Sequence, residues 1–491
     1  MLYRFFRQSS PEPSDIAFLP SIITWTIAIA MFNDIFWSAL SDLPSLTLLF
    51  MLLSLLVAFG FEFINGFHDT ANAVTTVIYT RTLKPMPAVV FSGICNFLGV
   101  LFGGTAVAFS IVNLLPVDVL VDESSGKALV MVISILLAGV IWNLGTWSLG
   151  LPVSSSHTLI GSILGVGLVN SLLARGDLSG VNWTKAAEVG LSLVLSPLFG
   201  FGLAAIFLIL MRTFISDDKL FLPPEGDHQP PKWIRRVLIS TCGAVSFAHG
   251  SNDGQKGMGL ILLVLIGFMP GYYALDLNHP GKAIEVRAVA EFVLEQLPAR
   301  ELDRNPRLKE DLEFLTANLK DKSNFSEIPS SERWKMRQKI FDARSAIQAI
   351  PLSDPMKERM TGPLRNFSHA LEYVPYWVIV FVALALSIGT TIGYERIVVT
   401  IAEKIGKTHL TYAQGASAEI VAALTIAAAD MLHMPVSTTH VLSSGIAGTM
   451  VANKSGIQPA TIRKIAAAWV LTLPASVTLS AGLFFLGTVI T

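Results

Sequence analysis

Charge is what this sequence has least of. Only 14% of its 491 residues are Asp, Glu, Lys or Arg, and the net charge is −1; soluble proteins average about 25% charged residues. No excess of one sign exists to draw nucleic acid or an acidic or basic partner. Cysteine is nearly absent. Cys95 and Cys242 both sit in apolar stretches, where they read as small core residues rather than as a disulfide or a metal pair. CxxC, HExxH, P-loop and Gly-x-Ser-x-Gly patterns are missing, which removes the usual signatures of redox, zinc-protease, nucleotide and serine-hydrolase chemistry.

Apolar sequence fills the space that charge leaves. Hydrophobic residues make up 52% of the chain, and the mean hydropathy is +0.58. Stretches of spanning length run near Leu43–Asn65, Met86–Leu114, Ala128–Gly150, Val189–Met211, Val237–Phe247, Met258–Ala274, Tyr376–Tyr394, Ala413–Leu432 and Ile465–Ile490, with shorter pieces near Ala71–Thr80, Thr158–Leu173 and Val441–Val451. The pattern predicts an all-α polytopic membrane protein with about 10–12 membrane segments. Ile16–Phe32 reads as an uncleaved extra helix. One block differs: Asp276 to Glu372 carries sixteen Lys/Arg and sixteen Asp/Glu, nearly half of all the charges. It must lie outside the membrane, and Leu308–Lys320 and Arg333–Gln348 read there as amphipathic helices. The expected organisation is therefore an N-terminal extension (1–40), a first transmembrane repeat (41–211), a connecting loop (212–236), the start of a second repeat (237–275), a charged helical insert (276–373) and the rest of the second repeat (374–491).

The division into repeats rests on two duplicated motifs. Leu151-Pro152-Val153-Ser154-Ser155-Ser156-His157 returns as Met434-Pro435-Val436-Ser437-Thr438-Thr439-His440, and His68-Asp69-Thr70-Ala71-Asn72 has its counterpart in Asn252-Asp253-Gly254-Gln255-Lys256. Asp69 precedes Ser154 by 85 residues and Asp253 precedes Ser437 by 184; the excess of 99 is close to the length of the charged block. Basic residues follow the first Asp motif (Arg81, Lys84) and precede the second (Lys232, Arg235, Arg236). If both clusters are cytoplasmic, the two motif segments run in opposite directions, as in an inverted repeat. The loop of Asp118, Asp122 and Glu123 then falls outside.

Each Pro-Val-Ser copy is suited to an anion. Proline stops one helix, and Ser and Thr cap the next. The unpaired N–H groups of the first turn carry the positive end of the helix dipole. Hydroxyls that merely cap and bond backbone carbonyls are the plainer alternative. In the other motif, Asp69 with Asn72 and Asp253 with Lys256 are spaced by three, on one helix face. Gly66, Gly250, Gly254 and Gly257 allow a broken backbone there. Carboxylates and freed carbonyls at a break are ligands for Na⁺ or a proton site. Glu62 lies two turns before Asp69, and Glu419 sits inside the apolar run before Pro435; both are candidates for ion coupling. Of the motif histidines, His157 and His440 read as hydrogen-bonding core residues. A dianion beside these acids would be repelled, so cotransport with H⁺, Na⁺ or a divalent metal is implied.

Gly66-Phe67-His68-Asp69-Thr70-Ala71-Asn72-Ala73 resembles the Gly-Ala-Asn-Asp-Val-Ala-Asn-Ala signature of the inorganic phosphate transporter (PiT) family, and Gly250-Ser251-Asn252-Asp253-Gly254-Gln255-Lys256-Gly257 resembles its second copy. The Pro-Val-Ser-x-x-His segments match too. The resemblance runs from about Leu46 to the C-terminus and is greatest to the bacterial low-affinity Pit subgroup. It implies secondary uptake of inorganic phosphate by symport with H⁺, with phosphate often moving as a neutral divalent-metal complex. His68 and Lys256 stand where the general signature has Asn; both departures point away from Na⁺ and toward protons.

The expected substrate-binding set is Asp69, Asn72, Ser154, Ser155, Ser156, Asn252, Asp253, Ser437, Thr438 and Thr439. The expected coupling set is Glu62, His68, Asp69, Asp253, Lys256 and Glu419. No tightly bound cofactor and no resident metal site are expected; H⁺ or Na⁺ is the coupling ion, and a divalent metal is the co-transported cargo in one version. Phosphate and the lipid bilayer of the inner membrane are the expected partners, with a homodimer left open and nucleic acid excluded. A Na⁺-coupled phosphate carrier and a sulfate or other oxyanion permease are the alternatives. An intramembrane hydrolase needs one nucleophile–base pair, not two symmetrical copies.

Overall fold

The computed structural model describes residues 39–114, 125–178, 181, 183–224, 229–432, 434 and 436–490. The expected extra helix, the loop of Asp118, Asp122 and Glu123, and Pro435 lie outside the described residues. The described chain is helical, with a single isolated bridge between Gly406 and Ile457.

The first half runs α1 (Ser45–Tyr79), α2 (Pro85–Phe102), α3 (Ala106–Val112), α4 (Ser125–Ser148), α5 (Ser155–Arg175) and α6 (Trp183–Phe214). The second opens with α7 (Lys232–Phe268) and the short α8 (Pro270–Tyr273). The insert follows as α9 (Lys282–Gln296), α10 (Ala299–Arg304), α11 (Pro306–Asn318), α12 (Ser330–Ala349) and α13 (Asp354–Leu371). The second half resumes with α14 (Tyr376–Thr390), α15 (Glu395–Lys404), α16 (Tyr412–Met431), α17 (Thr438–Ala452) and α18 (Pro459–Ile490). Among the described residues six helices are long and apolar enough to cross a membrane: α1, α2, α4, α5, α6 and α18. Taking α13 and α14, joined at a 74° bend, as one span makes seven.

Without the insert, the helices of the two halves correspond in order, and exchanging the halves preserves the packing. α1 lies on α14 as α7 lies on α2; α5 lies on α18 as α17 lies on α6; α1 meets α4 as α7 meets α16. Each half thus buries its helices largely against the other. At the centre runs α7, buried at every residue from Ala248 to Ile266.

The expected breaks at the two Asp motifs do not occur. α1 passes through His68–Asn72 and α7 through Asn252–Lys256 as continuous helices of 35 and 37 residues. The motif glycines serve close packing instead. A Cβ on Gly66 would collide with the Leu386 carbonyl of α14, and one on Gly389 with the Phe63 carbonyl of α1. The same crossing recurs where Gly250 of α7 meets Asn96 and Gly99 of α2 meets the Phe247 carbonyl. With lipid tails as apolar as side chains, such backbone approach is a main source of helix association in membranes. The true breaks are the Pro-Val-Ser segments, between α4 and α5 and between α16 and α17.

The insert packs its own core from Leu275 to Leu371, with Phe325 and Phe367 fully buried. α11 and α12 cover its two amphipathic stretches. Its two stems are tied together: Asp276 N–H donates to the Ala370 carbonyl at 3.2 Å. Arg337 Nη1 donates to the carbonyls of Ala274 (2.8 Å) and Leu371 (3.0 Å). Burial pushes the Arg337 guanidinium down to about 10, still charged at neutral pH, so the tie persists.

Candidate functional site

The breaks place two helix N-termini together. Ser154 and Ser437 are both in extended conformation and cap α5 and α17, accepting the N–H of His157 (3.3 Å) and His440 (3.2 Å). The rings of His157 and His440 lie with centroids 4.7 Å apart, and His440 stacks on Trp469 at 4.1 Å. Trp469 Nε1 donates to the Pro152 carbonyl at 2.8 Å, which fixes the first break against α18. Equivalent residues of the two halves thus meet face to face.

The hydroxyls beyond the caps reach the acids. Ser155 Oγ lies 2.7 Å from Asp69 Oδ2 and 2.7 Å from Asn65 Oδ1. Thr439 Oγ1 donates to Asp69 Oδ1. One carboxylate on α1 therefore receives a hydroxyl from each half. Ser156 Oγ donates to the Val436 carbonyl at 3.2 Å and accepts from Lys256 Nζ at 2.5 Å. Lys256 also reaches Asp253 Oδ1 (2.6 Å) and the Val436 carbonyl (2.8 Å). Asn252 binds the edge of the second break: its Nδ2 donates to Met434 O at 3.3 Å and to Asp430 Oδ1 at 2.5 Å. Thr438 is buried at the start of α17. His68 Nδ1 is 3.5 Å from Asp69 Oδ1. Asn72 falls on α1, but its side chain lies outside the described residues.

The two glutamates do not join this cluster. Glu62 is fully buried two turns before Asp69, pressed against Gly257 of α7, and neither of its oxygens meets a donor at hydrogen-bond geometry among the described residues. Glu419 accepts from Thr76 and Thr241. Thr76 lies two turns beyond Asp69 on α1. The glutamates therefore stand on opposite sides of the Asp69 level, each about 10 Å along the helix from it.

Two residues stand out that the sequence reading left without a role. Asn65 precedes Asp69 by four and His249 precedes Asp253 by four, so each shares its aspartate's helix face. That equal offset was visible in the sequence. His249 Nδ1 lies 3.0 Å from Asn96 Oδ1, and Asn96 Nδ2 donates to Thr390 at 2.9 Å. With Nδ1 donating to Asn96, the Nε2 lone pair points 3.4 Å from Asp253 Oδ2. Among the described residues neither of those two atoms has a hydrogen-bond partner. Ligand atoms of Asp69, His249 and Asp253 all lie within 4.8 Å of one another. Two carboxylates and one oriented imidazole form a donor set suited to a divalent cation. The described residues of the two expected sets are buried, so among the described residues the site is closed to solvent.

Residues 65–480 match the phosphate transporter family. The chain belongs to that family. It is 42% identical over 483 residues to a low-affinity inorganic phosphate transporter of Buchnera aphidicola, covering 91% of this chain and 98% of that one. It is 41% identical over 481 residues to the low-affinity inorganic phosphate transporter PitB of Escherichia coli, covering 89% and 96%. The solved structure of the sodium-dependent phosphate transporter has the same fold, with a TM-score of 0.58 and 18% identity over 90% of this chain and all of that one. As a phosphate transporter family member, the chain is a multi-pass membrane carrier and not an enzyme.

Proposed function

We propose that this chain imports inorganic phosphate across the inner membrane by symport with H⁺, the phosphate moving as a neutral complex with a divalent metal. One observation carries the reading: two hydroxyl-capped helix N-termini, one from each half, converge on a single buried level of the protein. Backbone N–H groups and hydroxyls there can hold an oxyanion without adding charge. The names of the relatives support phosphate as that anion.

Charge supports the cotransported cations. Among the described residues Lys256 is the one buried lysine at this level; it pairs with Asp253, while Asp69 takes hydroxyls from Ser155 and Thr439. A phosphate dianion would leave a buried excess of negative charge, which is costly away from water. A divalent metal held by Asp69, His249 and Asp253 offsets it, and protons on Glu62 and Glu419 complete the balance. The metal travels as cargo with the phosphate. The two glutamates stand on opposite sides of the site, which suits proton entry from one side and exit to the other. An inverted relation between the halves would let one rock against the other about this level, exposing it alternately.

The test is uptake of labelled phosphate into proteoliposomes with pH and Na⁺ gradients imposed separately. An inward pH gradient should drive uptake, a protonophore should collapse it, and chelating divalent cations should suppress it. Uptake that needs Na⁺ and ignores the protonophore would overturn the proton coupling. Sulfate uptake at a matching rate would overturn the choice of anion.

A further inference from the structure

Lys256 is the only described lysine in the membrane core that is nine-tenths or more buried, and its surroundings are unusual for a lysine. An ammonium has three N–H donors. Here each has an oxygen: Asp253 Oδ1 at 2.6 Å, Ser156 Oγ at 2.5 Å and the Val436 carbonyl at 2.8 Å. The side chain is 2% exposed. All three donors are spent, so in this closed state the ammonium is not aimed at an anion. Its three partners come from three places: α7, the start of α5 and the unwound segment before α17. Ser156 gives its own proton to Val436 O, so an Oγ lone pair is turned toward Lys256.

Without the lysine, the remaining atoms are a carboxylate oxygen, a hydroxyl oxygen with its lone pair presented, and a freed backbone carbonyl. Those are the hard oxygen ligands that a small monovalent cation takes, and unwound carbonyls commonly hold Na⁺ in transporters. We infer that Lys256 is a tethered cation: its ammonium permanently fills a monovalent-cation site built where the two halves meet, so that no Na⁺ from solution is bound there. The inference rests on the reading of the chain as a Na⁺-independent phosphate carrier and deepens it. It assigns Na⁺ independence to one side chain. Asp253 can serve the ammonium and a metal together, because Oδ1 faces Lys256 while Oδ2 faces His249.

The test vacates the cage. Full-length protein carrying Lys256→Asn or Lys256→Gln is purified, and binding of radioactive Na⁺ is measured beside the unaltered protein. The unaltered protein should show no saturable Na⁺ binding that depends on Asp253. Both variants should gain saturable binding, weakened several-fold when Ser156→Ala is added. Phosphate uptake by the variants should rise several-fold when Na⁺ replaces choline. Should the variants be unstable, Na⁺ during extraction should restore them and choline should not. Folded variants without saturable Na⁺ binding, instability that is equal in Na⁺ and choline, or Na⁺ binding by the unaltered protein that Asp253→Asn abolishes would each overturn the inference. Na⁺ binding and stability are read without transport, so failure of the phosphate or proton reading would leave these outcomes intact.

Discussion

Asp69→Asn separates the charge of the central carboxylate from its shape. In the closed structure both oxygens of Asp69 are used, one by Ser155 of the first half and one by Thr439 of the second. An asparagine keeps one acceptor and replaces the other with an amide nitrogen. One hydroxyl must then turn and accept, and one bond to a charged acceptor is lost. Such bonds contribute about 1.5–3 kcal/mol each, so contact between the halves weakens roughly 10- to 150-fold in population. The fold should survive, because helix crossings at Gly66 and Gly250 do not involve this side chain. The larger effect is on cargo. Removing one partner of a buried ion pair costs about 3–5 kcal/mol, so binding of the cation that accompanies phosphate should fall at least about 100-fold. Uptake into proteoliposomes should therefore be lost, while size-exclusion behaviour and helical circular dichroism remain those of the unaltered protein. Folded Asp69→Asn protein with uptake within about threefold of normal would refute the assignment of the cation to this carboxylate.

Gly250→Leu should be more damaging to folding than Asp69→Asn, because even a Cβ there would collide with the Asn96 backbone of α2. A lowered melting temperature and poor extraction in a monodisperse state are expected, and a normal melt would show that the helices can part at that crossing. Deleting Lys282–Arg365 and joining the stems with a short flexible linker should leave an inserted, folded carrier, because the stems already lie side by side at Asp276 and Ala370. Failure of that variant to insert in the membrane would show that the insert supports the carrier.

The hydropathy of the chain and the spacing of its duplicated motifs were enough to determine a helical membrane protein and two matched halves, with an insert that follows the first long helix of the second half. These are properties of composition and order, and one-dimensional sequence records them directly. Asn65 and His249 were also within reach, as residues four before each aspartate. Packing decided the rest. The sequence reading took the motif glycines as places where the backbone could break, yet Gly66 and Gly250 are helix crossings. A glycine that bends and one that lets a second helix approach look alike until the partner is present. The sequence placed Glu62 two turns before Asp69, and grouped Glu419 with it as a coupling candidate without placing it relative to the aspartates. The structure sets them on opposite sides of the Asp69 level, because Glu419 is held by Thr76 and Thr241, residues of two helices far away in the chain. Above all, the sequence could not show what Lys256 touches. Its three oxygens come from residues up to 180 positions distant, and only the folding of one half against the other brings them to a single nitrogen.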